Sequence, residues 1–201
     1  LNVELIAEDL ADMDHPDARR LAQKVSVVER QCTRLESLLN DFLRLTRLNR
    51  LELVAGSLNA LLEQVLDFFE ADAQHRNVEI VRYLDGDLPI IKMDKQTLQA
   101  ALQNMVKNSM EAMSDGGQLM VRTRMMRSGV AVDLIDTGQG IGSSTLIKMF
   151  EPFYTTKDSG SGLGLPMAKK VIEAHGGVIN VQSEEGRGTQ FTIEFPIPKR
   201  L

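Results

Sequence analysis

Two asparagines four residues apart are the first feature of this sequence that could do chemistry. Asn104 and Asn108 fall in a helical pattern, so their side-chain amides share one face of the helix. An amide oxygen can ligate Mg²⁺ alongside phosphate oxygens and water. Taken alone, the pair is equally consistent with a solvated helix surface.

A second stretch follows a run of apolar strand residues and reads D-T-G-Q-G-I, from Asp136 to Ile141. A carboxylate at the end of a strand can accept a hydrogen bond from an exocyclic amine such as that of adenine. Gly138 and Gly140 would let the backbone approach a flat ring closely. An ordinary Asp-Gly turn is the alternative for this motif by itself.

A third stretch places Gly160, Gly162 and Gly164 directly before a helix whose first turn contains Pro166. Successive glycine amides at a helix N-terminus form an anion site for phosphates. The spacing matches neither a Walker loop nor a dinucleotide-binding fingerprint. A flexible hinge is the alternative interpretation.

Between these two motifs lies F-E-P-F-Y-T-T-K, which ends at Lys157. Its aromatic residues Phe150, Phe153 and Tyr154 could anchor a mobile lid, and Lys157 could reach a terminal phosphate. A solvated surface lysine explains Lys157 equally well.

The order of the four motifs is more specific than any one of them. N-x-x-x-N, D-x-G-x-G-I, F-E-P-F and G-x-G-L-G-L resemble the N, G1, F and G2 boxes of sensor histidine kinases, whose ATP-binding domain belongs to the GHKL ATPase superfamily. The resemblance runs from about Asn59 to the C-terminus. The N box and the Thr-Thr-Lys of the F box look most like the nitrogen-regulation group of these kinases.

This resemblance implies ATP and Mg²⁺ as cofactors. It assigns Asn108 to the metal, Asp136 to the adenine amino group and the Thr189 hydroxyl to support of the adenine end. The other nucleotide-binding positions that it implies are Asn104, Lys107, Gly138, Gly140, Ile141, Lys157, Gly160, Gly162, Leu163, Gly164 and Leu165. Hydrolysing members such as DNA gyrase carry a glutamate at the position of Asn104; an amide cannot act as that base, which favours transfer over hydrolysis.

The family's phosphoacceptor histidine lies in an H box near the start of its first helix, and no such motif is present here. His15 lies in the predicted turn and lacks the acidic residue and the Asn-Pro that follow the histidine in that motif, His75 falls at a helix end, and His175 resembles the helix end that follows the G2 box. We therefore expect the sequence to begin just past the acceptor, so that no catalytic residue of the transfer lies within it and the chain does not phosphorylate itself.

The first fifty residues predict a helical hairpin. Apolar residues fill seven successive heptad positions, namely Leu21, Val25, Val28, Cys32, Leu35, Leu39 and Phe42. A shorter helical pattern precedes them, and a turn around Pro16 separates the two. One hairpin buries little surface, so we expect two copies to form a four-helix bundle with Cys32 buried in its seam.

After residue 50, helices and strands alternate. A short strand with a break at Gly56 leads to helices at 59–75, 94–113 and 165–175 and to strands at 78–84, 118–126, 130–135, 178–182 and 190–196. The fold class is α+β: a helical hairpin followed by an α/β sandwich, in which one mixed sheet is layered with helices on one face. The predicted domains are 1–50 for dimerisation and phosphotransfer and 51–201 for ATP binding.

Composition excludes several other classes. The net charge of −5, the absence of Trp and the two Tyr argue against nucleic-acid binding. No apolar run approaches the ~18 residues of a membrane helix, and because acidic residues interrupt the first stretch we expect no signal peptide in it. A single cysteine permits no intrachain disulfide and fits a reducing, cytoplasmic setting, including the cytoplasmic part of a membrane sensor.

The sequence is therefore predicted to be the core of a homodimeric two-component histidine kinase, which passes the ATP γ-phosphate to a histidine upstream of Leu1 and then to a response regulator receiver domain. A GHKL ATPase or a serine/threonine kinase of the anti-sigma type is the alternative. A dimeric scaffold that has lost its acceptor is a third.

Overall fold

The computed structural model describes residues 21–28, 31–32, 51–157 and 160–197. Residues 21–28 and 31–32 are helical, in agreement with the heptad pattern. Leu21, Val28 and Cys32 are exposed in the single chain, so burial of the seam depends on a second copy. The hairpin turn and the rest of the predicted bundle lie outside the described residues, and the dimer stays a prediction.

The part of the chain after residue 50 contains four helices and seven strands within the described ranges. In chain order they are β1 (Val54–Gly56), α1 (Leu58–His75), β2 (Val78–Tyr83), β3 (Ile91–Met93), α2 (Lys95–Glu111), β4 (Gly117–Met125), β5 (Gly129–Asp136), α3 (Ser143–Lys148), α4 (Gly164–Ala174), β6 (Val178–Glu184) and β7 (Gly188–Pro196).

Five of the strands form a mixed sheet in the order β2-β4-β5-β7-β6. Only the β2–β4 pair is parallel; the other pairs are antiparallel. The predicted single sheet is incomplete as a description, because β1 pairs with β3 in a separate two-stranded sheet. The sequence does not predict strand β3 or helix α3, because both are too short to show periodicity. Strand β3 has three residues shortly after Pro89, and helix α3 has six residues within a glycine-rich stretch.

The sheet has one apolar and one polar face. Val130, Val132 and Leu134 of β5 are fully buried and share one core cluster with apolar residues of α1, α2 and α4. On the opposite face of the same strand, Asp133 binds side chains of β4 and β7. The alternation follows the two-residue period of a strand, and it confirms the prediction of helices layered on a mixed sheet.

Side-chain caps fix where two helices begin. The Asp94 carboxylate accepts a hydrogen bond from the Thr97 N–H at 3.1 Å, as the sequence predicts for the N-cap of α2. Burial alone would raise the pKa of Asp94, but hydrogen bonds from the backbone N–H groups of Thr97 and Glu52 outweigh it and lower that pKa. The Ser57 hydroxyl caps α1 in the same way, at 3.2 Å from the Ala60 nitrogen.

Candidate functional site

A cavity of about 960 Å³ opens at one end of the α2–α4 helix pair. Its walls come from the second half of α2, the loop after β5, helix α3, the loop between α3 and α4, and the first residues of α4 and β7. The predicted site residues that line it are Asn104, Lys107, Asn108, Asp136, Gly140, Ile141, Lys157, Gly160, Gly162, Gly164, Leu165 and Thr189. All four motifs therefore meet at one cavity.

Asp136 forms the buried end of the cavity. It is the last residue of β5 and only 3% exposed. Its Oδ1 accepts hydrogen bonds from the backbone N–H groups of Gly138 at 3.0 Å and Thr189 at 3.1 Å. Because both donors bind the same oxygen, Oδ2 is left for a partner in the cavity.

Burial raises the pKa of the Asp136 carboxyl above its ordinary value. Hydrogen bonds from the Gly138 and Thr189 N–H groups, together with the nearby Ser109 hydroxyl, oppose this effect without overcoming it. The Ser109 hydroxyl is near enough to favour the charged form, yet its buried Oγ makes no hydrogen bond of ordinary geometry within the described residues. A buried acceptor next to an unpartnered hydroxyl is costly unless a ligand completes the hydrogen bonds.

Two glycines adopt left-handed backbone conformations where the chain folds back on itself. Gly140 has φ +71°, and a Cβ there would overlap the carbonyl oxygen of Glu184. Gly162 has φ +68°, and a Cβ there would lie 2.5 Å from the carbonyl carbon of Phe153. Glycine is therefore required at both positions by the close packing of the chain against itself, whereas the approach of Gly138 and Gly140 to a base stays a prediction.

Gly138 and Leu163 are the two predicted site residues outside the cavity wall. Gly138 acts through its N–H on Asp136. Leu163 is the N-cap of α4 and is 5% exposed. Neither residue contacts the cavity, but each fixes a neighbouring segment that does: Gly138 orients the Asp136 carboxylate, and Leu163 caps the helix that begins at Gly164.

The two asparagines face the start of α4. A Cβ built on Gly164 would lie 3.8 Å from the Asn104 Cγ and 3.8 Å from the Asn108 Nδ2. This contact confirms that the amides share one face of α2, and it sets them against the glycine-rich turn. A Cβ at position 164 would make ordinary van der Waals contact with both amides, so the two side chains already lie against the start of α4.

Lys157 binds the helix that carries the asparagines. Its ammonium donates a hydrogen bond to the Asn108 Oδ1 at 3.2 Å and forms an ion pair with Glu111. Lys107 lies 3.8 Å from the same Glu111 carboxylate. Lys157 is thus not a free surface lysine; in this structure it ties the loop of the F-E-P-F-Y-T-T-K motif to α2.

The predicted aromatic anchors behave differently from one another. The Tyr154 hydroxyl lies 3.2 Å from the Thr145 hydroxyl of α3. Phe150 packs under the Lys169 ammonium, 5.0 Å from the ring centroid. Phe153 is 70% exposed, and its backbone N–H donates to the Gly162 carbonyl at 3.0 Å. Tyr154 and Phe150 anchor the loop by side chains, whereas Phe153 does so only by its backbone.

Several cavity residues escaped the sequence interpretation. They are Ser109, Glu111, Ala112, Gln139, Gly142, Thr145, Met149, Thr155, Thr156, Ser161, Glu185 and Phe191. Glu111 had a usable signal, because it lies three residues after Asn108 and four after Lys107 on the same helix face. Glu185 had none, since it reaches the cavity only through a turn whose position depends on sheet pairing.

Comparison with known proteins gives a consistent assignment. Residues 93–199 match the family of histidine kinase-, DNA gyrase B-, and HSP90-like ATPases. The sensor histidine kinase ZraS of Escherichia coli (strain K12) is 33% identical over 181 residues, which cover 90% of this chain and 38% of that protein. Sporulation kinase E of Bacillus subtilis (strain 168) is 35% identical over 173 residues, covering 86% and 23%. The chain therefore spans well under half the length of these relatives.

Solved structures agree with the sequence comparison. Histidine kinase ThkA in complex with response regulator protein TrrA is similar with a TM-score of 0.76 and 25% identity, over 98% of this chain and 58% of that one. Full-length ShkA in complex with AMPPNP gives a TM-score of 0.74 and 27% identity, over 95% and 41%. With more than half of its residues matched by the family model and a sensor histidine kinase among its relatives, this chain belongs to the histidine kinase-, DNA gyrase B-, and HSP90-like ATPases.

Proposed function

We propose that this chain is the ATP-binding catalytic part of a sensor histidine kinase. The observation that carries the proposal is the buried Asp136 carboxylate. Its Oδ1 accepts hydrogen bonds from two backbone N–H groups, and its Oδ2 is available to a ligand in the cavity, whose walls include the glycine-rich loops. Such an acceptor suits the amino group of adenine. Gly160, Gly162 and Gly164 and the N-terminus of α4 suit phosphates.

The side chains at the other end of the cavity fit a metal-bound phosphate. Asn108 offers an amide oxygen, the kind of ligand that Mg²⁺ accepts together with phosphate oxygens and water. Within the described residues no group of three His, Cys, Asp or Glu could hold a metal ion, so the metal would need the nucleotide's own oxygens. When bound, Mg²⁺ would neutralise charge on the terminal phosphates, and Lys157 would donate to the terminal phosphate.

Asn104 favours transfer over hydrolysis. It lines the cavity beside Gly164, and an amide cannot deprotonate an attacking water. The acceptor we propose is a histidine upstream of Leu1 in the parent protein, within a dimeric bundle to which residues 1–50 contribute. Of the histidines in the described residues, His175 already uses both ring nitrogens, on the Val171 carbonyl and the Asp94 N–H.

A response regulator is the proposed recipient of the phosphoryl group. The support is the similarity to ThkA, whose structure holds the response regulator TrrA. A cytoplasmic location fits this role. No helix in the described residues is long and apolar enough to cross a membrane.

Radiolabelling tests this function. The full-length protein, incubated with γ-labelled ATP and Mg²⁺, should acquire label that is labile in acid and stable in base, as a phosphorus–nitrogen bond is. Free phosphate without labelled protein would instead support a GHKL ATPase. Label on a partner's serine would support a kinase of the anti-sigma type, and a protein that binds no nucleotide would support a scaffold.

A further inference from the structure

The Ser183 hydroxyl, on β6, is the centre of a hydrogen-bond network behind the cavity. Its Oγ lies 2.8 Å from the Ile141 nitrogen, 2.8 Å from the Gly188 carbonyl oxygen and 2.9 Å from the Thr189 Oγ1. Ser183 itself is half-buried and does not line the cavity. Thr189 does line it and is 4% exposed.

Counting protons fixes the direction of every bond in this network. A serine hydroxyl has one hydrogen and two lone pairs. The Ile141 N–H can only donate and the Gly188 carbonyl can only accept, so Ser183 accepts from the first and donates to the second. Its remaining lone pair must then accept the hydrogen of the Thr189 hydroxyl.

The Thr189 hydroxyl hydrogen therefore points to Ser183, away from the cavity. Toward the cavity Thr189 presents lone pairs alone, as the neighbouring Asp136 Oδ2 does. This end of the cavity consequently accepts hydrogen bonds from the amino group at purine position 6. The Thr189 hydroxyl therefore offers no donor to a carbonyl oxygen at that position, and the unpartnered Ser109 hydroxyl beside Asp136 is not hydrogen-bonded to Ser183.

We propose that Ser183 is a positioning residue for base discrimination. Its hydroxyl accepts the hydrogen of the Thr189 hydroxyl, which leaves Thr189 able only to accept hydrogen bonds from the nucleotide, and this favours 6-amino over 6-oxo purine nucleotides. Ser183 also holds the loop after β5 through the Ile141 N–H. The inference rests on the proposed ATP site and adds to it a residue that does not touch the nucleotide.

The test compares the affinities of ADP and inosine diphosphate by calorimetry, for this chain and its variants. In Ser183→Ala the Thr189 hydroxyl is free to rotate and can donate to the 6-oxo group. The ADP preference should then fall by about three- to tenfold, the contribution of roughly one hydrogen bond. Ser183→Thr, which restores a hydroxyl, should recover the preference, and Ser128→Ala, at the far β4–β5 turn, should leave it unchanged.

A second pair of variants tests whether the effect of Ser183 depends on the Thr189 hydroxyl. In Thr189→Val, which has no hydroxyl to orient, adding Ser183→Ala should change the preference no further. An unchanged preference in Ser183→Ala, or an equal fall in the Thr189→Val background, would overturn the proposal. If Ser183→Ala does not fold, Ser183→Cys keeps a side chain of similar shape with a weak donor and is subject to the same two criteria. A wild-type chain that binds neither nucleotide would overturn the ATP site itself.

Discussion

Asp133 and Asp136 lie three residues apart on β5, are both buried, and point to opposite faces of the sheet. Asp133 is 0% exposed and binds Arg122 at 2.9 Å, Arg124 at 3.0 Å and the Thr192 hydroxyl at 2.8 Å. Asp136 has no cationic partner within the described residues. One carboxylate is therefore satisfied by the fold, whereas the other is left for a ligand.

The pKa shifts of the two aspartates express this difference. Burial would raise both, but hydrogen bonds from Arg124, Thr192 and Arg122 outweigh it at Asp133, whose pKa falls below its ordinary value. At Asp136 burial prevails and the pKa rises. A buried carboxylate in a cavity that the protein itself does not neutralise is a candidate for a functional residue.

Asp136→Asn should weaken ADP binding by about 1–3 kcal/mol, the loss expected when a charged hydrogen-bond acceptor is replaced. Its stability should be unchanged or higher, because the amide oxygen can still accept from Gly138 and Thr189 while the cost of a buried charge is removed. Calorimetry and urea unfolding measure the two effects. Equal ADP affinity in the variant and the wild type would exclude Asp136 from base recognition.

Asp133→Asn is the matched control and should show the reverse pattern. Removing the carboxylate charge leaves Arg122 and Arg124 without their partner, and we expect a loss of about 1–3 kcal/mol in the free energy of unfolding. ADP affinity should stay at the wild-type value, since Asp133 faces away from the cavity. A large loss of affinity with unchanged stability would contradict the division between the two faces.

The pH dependence of Asp136 has a definite sign. The pKa of Asp136 in the folded state lies above the ordinary value of 3.8. Between these two pKa values the carboxyl group keeps its proton in the native state and has lost it in the unfolded state. The free energy of unfolding should therefore fall as pH rises from 3.8 through the folded pKa. ADP affinity should rise over the same window, because the charged carboxylate is the stronger acceptor.

Asp136→Asn is the reference for both pH curves. The wild-type-minus-variant difference in unfolding free energy should decrease with rising pH, and the difference in affinity should increase. Two pH-independent differences would show that Asp136 does not titrate in this window.

Lys157→Met tests the reach of the lysine toward a terminal phosphate. AMPPNP should bind more weakly by about 1.5–3 kcal/mol, the scale of a charge-assisted hydrogen bond, and ADP should be affected less. Lys148→Met, at the exposed end of α3, should change neither affinity. An equal loss for AMPPNP and ADP would mean that Lys157 acts only by tying its loop to Asn108 and Glu111.

Asn108→Asp tests the metal ligand. A carboxylate binds Mg²⁺ more strongly than an amide does and repels phosphates when no metal is present. The ratio of AMPPNP affinities with Mg²⁺ and with a chelator should therefore increase. Asn180→Asp on β6, outside the cavity, should keep the wild-type ratio; the same ratio in Asn108→Asp would argue against metal ligation at this position.

Local signals predicted much of this structure. The cap at Asp94 and the helical and strand periods are properties of neighbouring residues, and they locate α2, α4 and most of the sheet. The boxes likewise predict that Asn108, Asp136 and Gly162 meet at one site. These are features that a few adjacent residues encode.

The remaining features depend on contacts between distant segments. Ser183 reaches Thr189 through the pairing of β6 with β7, in which these two residues are partners. Lys157 finds Glu111 across 46 residues of sequence. Neither contact has a periodic or motif signature, so sequence patterns could predict Lys157 as a phosphate contact or a surface lysine but not its ion pair with Glu111, and they could not find Ser183.

The most direct test of the central claim is a calorimetric titration of this chain with AMPPNP and Mg²⁺. The ATP-site assignment predicts one saturable site per chain, weakened in Asp136→Asn and preserved in Asp133→Asn. No binding by a folded wild-type chain, or binding that Asp136→Asn leaves unchanged, would contradict it.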